Sequence, residues 1–378
     1  MFSNSIGDPP SNDTIEITLF GPGRGESILL FIPEIGWGVI DSCEFKQNGW
    51  TIVPPLEYLK QYSVQELAFV VLTHLHEDHF MGMEKILSAF KKRIRRVCRY
   101  DGDGVRELQT YWAKDTYAGS SVIQRASSLF EVFKEAIKDG AKNLRLGENT
   151  ILLQEDKVLS NGKRFTAHIQ ALTPSGESIE RYKDLLYRNL SPNKPIVKLP
   201  DRDHNLIASA LWISVGKLKI LLGSDVENGI NDQTGWRGVV NNPCVPDLRV
   251  HAIKVAHHGS KNAHYAPAWD LHKQKKTISL ITPFFMSNPP LPADSDIVRI
   301  RRLSRRVGLT TTIKLDRPDK YYTREVTKRI ERMTRRWKVK HASKEIGLLR
   351  LRYNMDGILV DETAIPPSTW FDGLRRNN

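Results

Sequence analysis

Residues 72–83 read LTHLHEDHFMGM and place His74, His76, Asp78 and His79 within six consecutive positions. The motif follows an apolar run, LAFVVLT, that predicts a buried strand. Histidines at i and i+2 of an extended segment point the same way, so the first two can chelate one ion. The aspartate and the last histidine lie in the turn beyond, within reach of a second ion. This pattern predicts a two-metal hydrolytic site, the alternative being a polar loop that happens to be rich in histidine.

Composition predicts a globular protein with a sizeable core. The chain has 378 residues, of which 40% are hydrophobic and 26% charged. No apolar run is long enough to span a bilayer, and the N-terminus lacks the pattern of a signal peptide. The three cysteines, Cys43, Cys98 and Cys244, form neither a CxxC pair nor a disulfide framework. We therefore expect a cytoplasmic protein without a membrane partner.

Strand-like and helix-like segments alternate along the chain, which predicts an α/β fold. At this point the sequence resembles a known family. THLHEDH resembles the signature of the metallo-β-lactamase fold, and GRGESILLFI…VIDSC resembles the hairpin and strand that precede that signature. NLIASALWISVGKLKILLGSD and IKVAHHGS resemble the later strand pair and histidine motif. The resemblance is greatest to the branch that contains the hydrolase domain of the bacterial DNA-uptake competence channel.

The resemblance implies a four-layer αββα sandwich with helical insertions. A loose N-terminal tail, residues 1–14, would precede a catalytic domain over residues 15–315 with a helical insert at about 104–140. A basic helical insert, residues 316–346, would then lead to a closing strand and a C-terminal tail in residues 347–378.

The resemblance also implies a ligand set for two divalent ions. The predicted ligands are His74, His76, Asp78, His79, Asp225 and one of the late histidines, His257 or His258. The first two histidines would hold one ion, Asp78 and His79 the other, and Asp225 would bridge them. We favour His257 as the remaining ligand, which leaves Asp78 and His258 as catalytic residues, His258 in a proton-donating or supporting role. Asp41 would orient the histidine loop from behind.

One ligand of the family pattern is missing. Many members have a further histidine between the first motif and the bridging aspartate, and it completes the first metal site. Here only His168 and His204 fall in that interval, and the sequence does not choose between them. The competence branch often lacks this histidine as well.

Histidine and carboxylate ligands without cysteine are compatible with zinc or manganese, and also with iron. We expect two ions that hold a bridging hydroxide, which attacks a phosphorus or carbonyl centre. The fold alone does not decide among lactam, thioester, lactone and phosphodiester substrates.

Charge favours a polyanionic substrate. The formal net charge is +13, and residues 299–344 contain seventeen Lys or Arg against four Asp or Glu. Within this stretch an apolar stripe at helical spacing predicts an amphipathic helix. Its remaining surface carries the predicted nucleic-acid-binding residues Arg324, Lys328, Arg329, Arg332, Arg335 and Arg336. The alternative is a solvated basic face without a partner.

The sequence therefore predicts a metal-dependent phosphodiesterase, with a nuclease acting on DNA or RNA as the leading hypothesis. One alternative is a small-molecule hydrolase that acts on a cyclic nucleotide, phosphoester or lactone. Another is a non-catalytic nucleic-acid-binding subunit. An effector role in prokaryotic anti-phage defence, with a partner protein in the same module, is only an association of the family. The oligomeric state stays open.

Overall fold

The computed structural model describes residues 6–47, 49–100, 120–189, 201–246, 249–272, 274, 277–287, 289–311, 314–315, 340–341 and 346–374. Strands dominate this part of the chain. In chain order they are β1 (Thr14–Gly21), β2 (Ser27–Ile32), β3 (Gly36–Ile40), β4 (Phe45–Gln47), β5 (Trp50–Ile52), β6 (Leu67–Leu72), β7 (Arg96–Arg99), β8 (Lys142–Arg145), β9 (Ile151–Val158), β10 (Arg164–Ala171), β11 (Leu211–Val215), β12 (Leu218–Leu222), β13 (Ala252–Lys254), β14 (Ile278–Ile281), β15 (Arg306–Leu309), β16 (Lys314–Leu315), β17 (Lys340–His341), β18 (Gly347–Asn354), β19 (Leu359–Ile365) and β20 (Thr369–Asp372).

Sixteen of the described strands form two large sheets of eight strands each, and the other four form the pairs β4–β5 and β16–β17. Sheet one has the order β19-β18-β1-β2-β3-β6-β7-β8, and sheet two has the order β20-β15-β14-β13-β12-β11-β10-β9. The run from β3 to β8 in sheet one is parallel, and so is the run from β12 to β15 in sheet two. Polar loops at the carboxyl ends of these strands are the usual place for a site in parallel sheets.

Helices cover the outer face of each sheet. They are α1 (Pro54–Gln61), α2 (Glu77–Phe80), α3 (Met83–Ala89), α4 (Ser120–Lys138), α5 (Gly176–Asn189), α6 (Asp201–His204), α7 (Gly235–Asn241), α8 (Ala266–His272) and α9 (Asp294–Leu303), with short 3₁₀ turns at Asn205–Ile207, His257–Gly259 and Lys261–Ala263. In the portion of the chain described, no helix has the length and apolarity that crossing a membrane requires.

In the centre of each sheet both faces of the strands are buried, and β6 is accordingly apolar throughout. In β1, Ile17 and Leu19 point into the core between the two sheets, whereas Phe20 points into the core beneath the helices that cover sheet one. A third core, which includes Trp236 and Ile300, lies between sheet two and α7, α8 and α9. Three apolar cores separate four layers, so the αββα sandwich predicted from the sequence is confirmed.

The C-terminal segment contributes more than one closing strand. β18 pairs with β1, β19 pairs with β18, and β20 joins the opposite sheet beside β15. The predicted helical insert contains α4, whereas residues 101–119 lie outside the described part. Most of the predicted basic insert, and with it all six predicted nucleic-acid-binding residues, also lies outside that part.

Candidate metal centre

Five strand ends bring the predicted site residues to one edge of the sandwich. Asp41 follows β3, and the histidine loop follows β6 in the same sheet. From the other sheet, Asp225 follows β12, the His257–Gly259 turn follows β13, and Thr282 follows β14. Because these strands are parallel within each sheet, their carboxyl ends lie side by side, and the site forms between the two sheets.

The first group of ligand atoms belongs to His74, His76 and Asp225, whose atoms lie within 4.8 Å of one another. The rings of the two histidines are 5.7 Å apart. Burial and the charge of His79 hold the pKa of His74 well below its usual value, which favours the neutral imidazole that a metal requires. Its Nε2 is buried and has no hydrogen-bond partner among the described residues.

The second group surrounds His79 and His258 and shares Asp225 with the first. The Nε2 atom of His79 lies 3.4 Å from Oδ1 of Asp225 and 3.5 Å from Oδ2 of Asp78. The Nε2 atom of His258 lies 3.0 Å from the same Asp78 oxygen and 3.6 Å from Oδ2 of Asp225. Both imidazoles thus present Nε2 to the same pair of carboxylates, and Asp225 is the residue common to the two groups.

Asp41 lies behind the histidine loop, as the sequence predicts. Its Oδ2 is 2.7 Å from Nδ1 of His79, and its oxygens also accept hydrogen bonds from the Thr73 amide and hydroxyl. An imidazole that donates Nδ1–H to a buried carboxylate keeps its Nε2 lone pair directed at the opposite side. Asp41 therefore sets the orientation of the His79 ring.

Four residues of the site adopt a left-handed backbone conformation. The φ angles are 56° for Asp41, 44° for Ser224, 47° for His257 and 53° for His258. This conformation is costly for residues other than glycine, and such residues concentrate at functional sites. At these turns the Asp41 side chain contacts the histidine loop of its own sheet, whereas the side chains of Ser224 and His258 cross the gap to Thr73 and Asp78.

The charges of the site are strongly coupled. Burial alone would raise the pKa of Asp78 and of Asp225, but neighbouring histidines hold both well below their usual range. Burial would likewise lower the pKa of His79 and of His258, but the surrounding carboxylates raise both. Asp78 raises the pKa of His76 as well, so the carboxylates favour the protonated form of three of the site histidines.

This donor set fits divalent ions. Nε2 of His74, Nε2 of His79 and Oδ1 of Asp225 are buried, and none has a hydrogen-bond partner in the described part of the protein. Orphaned buried polar atoms are rare unless an ion or water satisfies them. Imidazole and carboxylate ligands are those of zinc, manganese and iron.

The two late histidines occupy different places. His258 is buried against Asp78, and its ring stacks on Phe284 at a centroid distance of 5.1 Å. The side chain of His257 is 17% exposed, with Nε2 3.9 Å from Asp225 and Nδ1 3.4 Å from Glu227. The sequence favours His257 as the ligand, with His258 in a proton-donating or supporting role. The geometry instead supports His258 as a ligand, because its Nε2 lies 3.0 Å from Asp78 and it belongs to the second ligand group, which does not include His257.

His204 is the better placed of the two candidates for the missing ligand. It is buried at the end of α6, and its ring lies 6.4 Å from that of His76. Its Nδ1 is 3.0 Å from the Tyr182 hydroxyl, and it lies beside the first ligand group without being one of its members. His168 instead lies on β10, with its ring 5.6 Å from that of Trp212.

Sequence reasoning missed two buried charged residues of the site, Glu26 and Lys254. Glu26 belongs to the second group of possible ligands, and its backbone amide donates to the Asp78 carbonyl. Gly25 makes this approach possible, since a Cβ at that position would lie 2.6 Å from the same carbonyl oxygen. Glu26 lies in the motif GRGES and Lys254 in the motif IKVAHHGS. The sequence identifies both motifs but assigns no role to either residue.

Comparison with known proteins agrees with this architecture. Residues 35–178 match the family model described as Metallo-beta-lactamase superfamily. The matched segment contains the histidine loop and Asp41, and it ends before Asp225 and His258. No curated protein matches the chain. Residues 35–178 are therefore similar to a metallo-beta-lactamase superfamily domain, whereas the resemblance to the competence-channel branch stays a prediction.

Proposed function

We propose that this protein is a metal-dependent phosphodiesterase that cleaves nucleic acid. The observation that supports it is the pair of ligand groups that share Asp225 in the cleft between the two sheets. Two bound divalent ions would activate water for attack and neutralise charge on phosphate oxygens. The superfamily is typically hydrolytic and metal-dependent; the phosphodiester substrate is the part that we propose.

The residues divide into two ligand sets. His74, His76 and His204 would hold one ion, and Asp78, His79 and His258 would hold the other, with Asp225 between them. His257 is then left as the proton donor to the leaving oxygen, because it is partly exposed and lies 3.9 Å from the bridging carboxylate. Asp41 keeps the ring of His79 in its orientation.

Positive charge near this centre supports a polyanionic substrate. The Arg299 guanidinium of α9 donates to the Gly259 carbonyl at 2.9 Å, beside the turn that carries His258, and Lys261 beyond that turn is exposed. The exposed Arg302 and Arg305 lie toward the opposite edge of sheet two, where β14 and β15 begin. Together with a net charge of +13, Arg299 and Lys261 would attract phosphates toward the cleft.

The test is a nuclease assay on the purified full-length protein. Linear, circular, single-stranded and double-stranded DNA and RNA are incubated with Mn²⁺ or Zn²⁺, and Asp78→Ala is the control. We expect cleavage that requires metal, that Asp78→Ala abolishes, and whose apparent affinity for substrate falls steeply as salt increases. A fully metal-loaded protein that leaves every substrate intact would overturn the proposal.

The remaining hypotheses give different outcomes in the same assay. A small-molecule hydrolase would turn over a generic phosphodiester or lactone ester with little dependence on salt. A non-catalytic nucleic-acid-binding subunit would bind the labelled substrate and leave it intact, and Asp78→Ala would bind it equally well.

A further inference from the structure

Glu26 and Lys254 form a buried ion pair across the two sheets. Glu26 immediately precedes β2 in sheet one, Lys254 is the last residue of β13 in sheet two, and both are 0% exposed. Nζ of Lys254 lies 2.5 Å from Oε2 of Glu26. Removing two charges from water is costly, and an apolar pair of similar volume is often at least as stable. Stability alone therefore does not explain why two charges occupy this position.

The lysine end of the pair reaches the turn that carries the bridging carboxylate. Nζ of Lys254 donates to the Ser224 carbonyl at 3.0 Å and lies 3.9 Å from Oδ1 of Asp225. Ser224 has a φ angle of 44°, so its turn is held in a conformation that costs energy. A buried ammonium bonded to that carbonyl stabilises the turn and keeps Asp225 directed into the cleft.

The glutamate end lies behind two of the proposed histidine ligands. Oε1 of Glu26 is 3.7 Å from Nδ1 of His79, and Oε2 is 3.7 Å from Nδ1 of His258. The Thr282 hydroxyl donates to Oε2 at 2.5 Å. In both rings Nδ1 is opposite Nε2, the nitrogen that faces Asp78 and Asp225. Glu26 therefore lies on the far side of both rings from an ion bound at Nε2, a place suited to a supporting carboxylate.

We infer that Glu26 and Lys254 are positioning residues of the metal centre. Lys254 fixes the turn that presents Asp225. The Nδ1–H groups of His79 and His258 donate to Asp41 and to the Thr282 carbonyl, and Glu26, 3.7 Å from each Nδ1, adds a negative charge that supports this form, in which Nε2 is offered to the ion. Partners of this kind, one contact removed from the metal, commonly change metal affinity by about 10–100-fold. The inference rests on the metal centre of the proposed function and not on the nature of its substrate.

The test separates a positioning role from a merely structural one. Lys254→Met, Glu26→Gln and the double variant are compared with the wild type in the full chain. The readouts are affinity and stoichiometry for Zn²⁺ and Mn²⁺, the absorption spectrum of the Co²⁺-loaded protein, and thermal unfolding of the metal-free form. The matched control is Glu16→Gln with Arg352→Met, an ion pair at 2.7 Å on the strand pair β1–β18 in which Glu16 is buried and Arg352 is partly buried.

We expect each single variant to unfold at a lower temperature, because it leaves a buried charge or its partner uncompensated. The double variant should recover most of that loss in the metal-free form. It should nevertheless bind metal about 10–100-fold more weakly than the wild type and show an altered Co²⁺ spectrum. The control pair should leave metal affinity and the Co²⁺ spectrum unchanged.

Two results would overturn the inference alone. If the double variant binds both metals with wild-type affinity, the pair is only structural. If Lys254→Met binds metal more tightly with an unchanged Co²⁺ spectrum, the lysine does not position Asp225. Its positive charge then only weakens metal binding by electrostatic repulsion. A wild-type protein that takes up no metal overturns the metal centre and this inference together. Metal uptake without cleavage of nucleic acid overturns the proposed function alone.

Discussion

Replacing His258 by asparagine is expected to weaken the second metal site, whereas the same change at His257 is not. Both residues have φ angles near 50°, and asparagine tolerates this left-handed region better than alanine does. The two substitutions therefore place the same side chain in the same backbone conformation at neighbouring positions. They differ in what they remove, because only the His258 ring reaches the Asp78 carboxylate.

The size of the effect follows from the number of ligands. Structural zinc sites with four protein ligands bind with about 10–16 kcal/mol, so one ligand contributes roughly 2.5–4 kcal/mol. A loss of that size corresponds to about a hundredfold weaker binding or more. His257 lies 3.9 Å from the nearest Asp225 oxygen and is partly exposed, so its loss should change metal affinity by less than about threefold.

Competition with a chromophoric chelator, combined with elemental analysis of the dialysed protein, measures both quantities. We expect His258→Asn to retain one strongly bound ion per chain and His257→Asn to retain two. Thermal unfolding of the metal-free forms checks that both variants fold. Equal metal affinity in the two variants, or a greater loss in His257→Asn, would refute the assignment and restore the preference drawn from the sequence.

Four further results are expected. Asp41→Asn should weaken binding of the second ion about 10–100-fold, because an amide oxygen carries no negative charge and accepts a weaker hydrogen bond from the His79 Nδ1–H. Competition with a chelator measures this change. His204→Phe should weaken the first ion and His168→Phe should not, as stoichiometry by elemental analysis would reveal. His257→Asn should lower kcat of the metal-loaded enzyme by about a hundredfold or more, since a general acid is lost; an unchanged kcat would exclude the role. Because carboxylates raise the pKa of His79, metal uptake should release protons and weaken as the pH falls; calorimetry in buffers of different ionisation enthalpy would detect the release.

The sequence predicted the fold and most of the cluster because both depend on local order. Apolar strands that end in polar residues can be seen in the chain, and the parallel arrangement brings such ends to one edge. Asp41 and the histidine loop directly follow a strand, and Asp225 is the third residue after one, so their convergence follows from the topology. The confirmed αββα sandwich brings these strand ends, and the polar residues that follow them, to one site.

The rest depends on contacts that local order does not contain. Adjacent histidines cannot be distinguished by spacing, because two left-handed residues in succession decide which ring points inward. Glu26 and Lys254 meet only across the two sheets, 228 positions apart in the sequence, so neither motif alone indicates the pair. The strand β20 crosses to the second sheet, a step that its short sequence does not predict.

The centre draws its ligands from both halves of the sandwich, and this has a mechanical consequence. Bound ions would cross-link the two sheets. The sheets could then not separate until the ions dissociated. Amide hydrogens along β6 and β12 should then exchange with solvent much more slowly in the metal-bound protein than in the metal-free protein. The rate at which a chelator removes the metal should likewise equal the rate at which the two sheets separate.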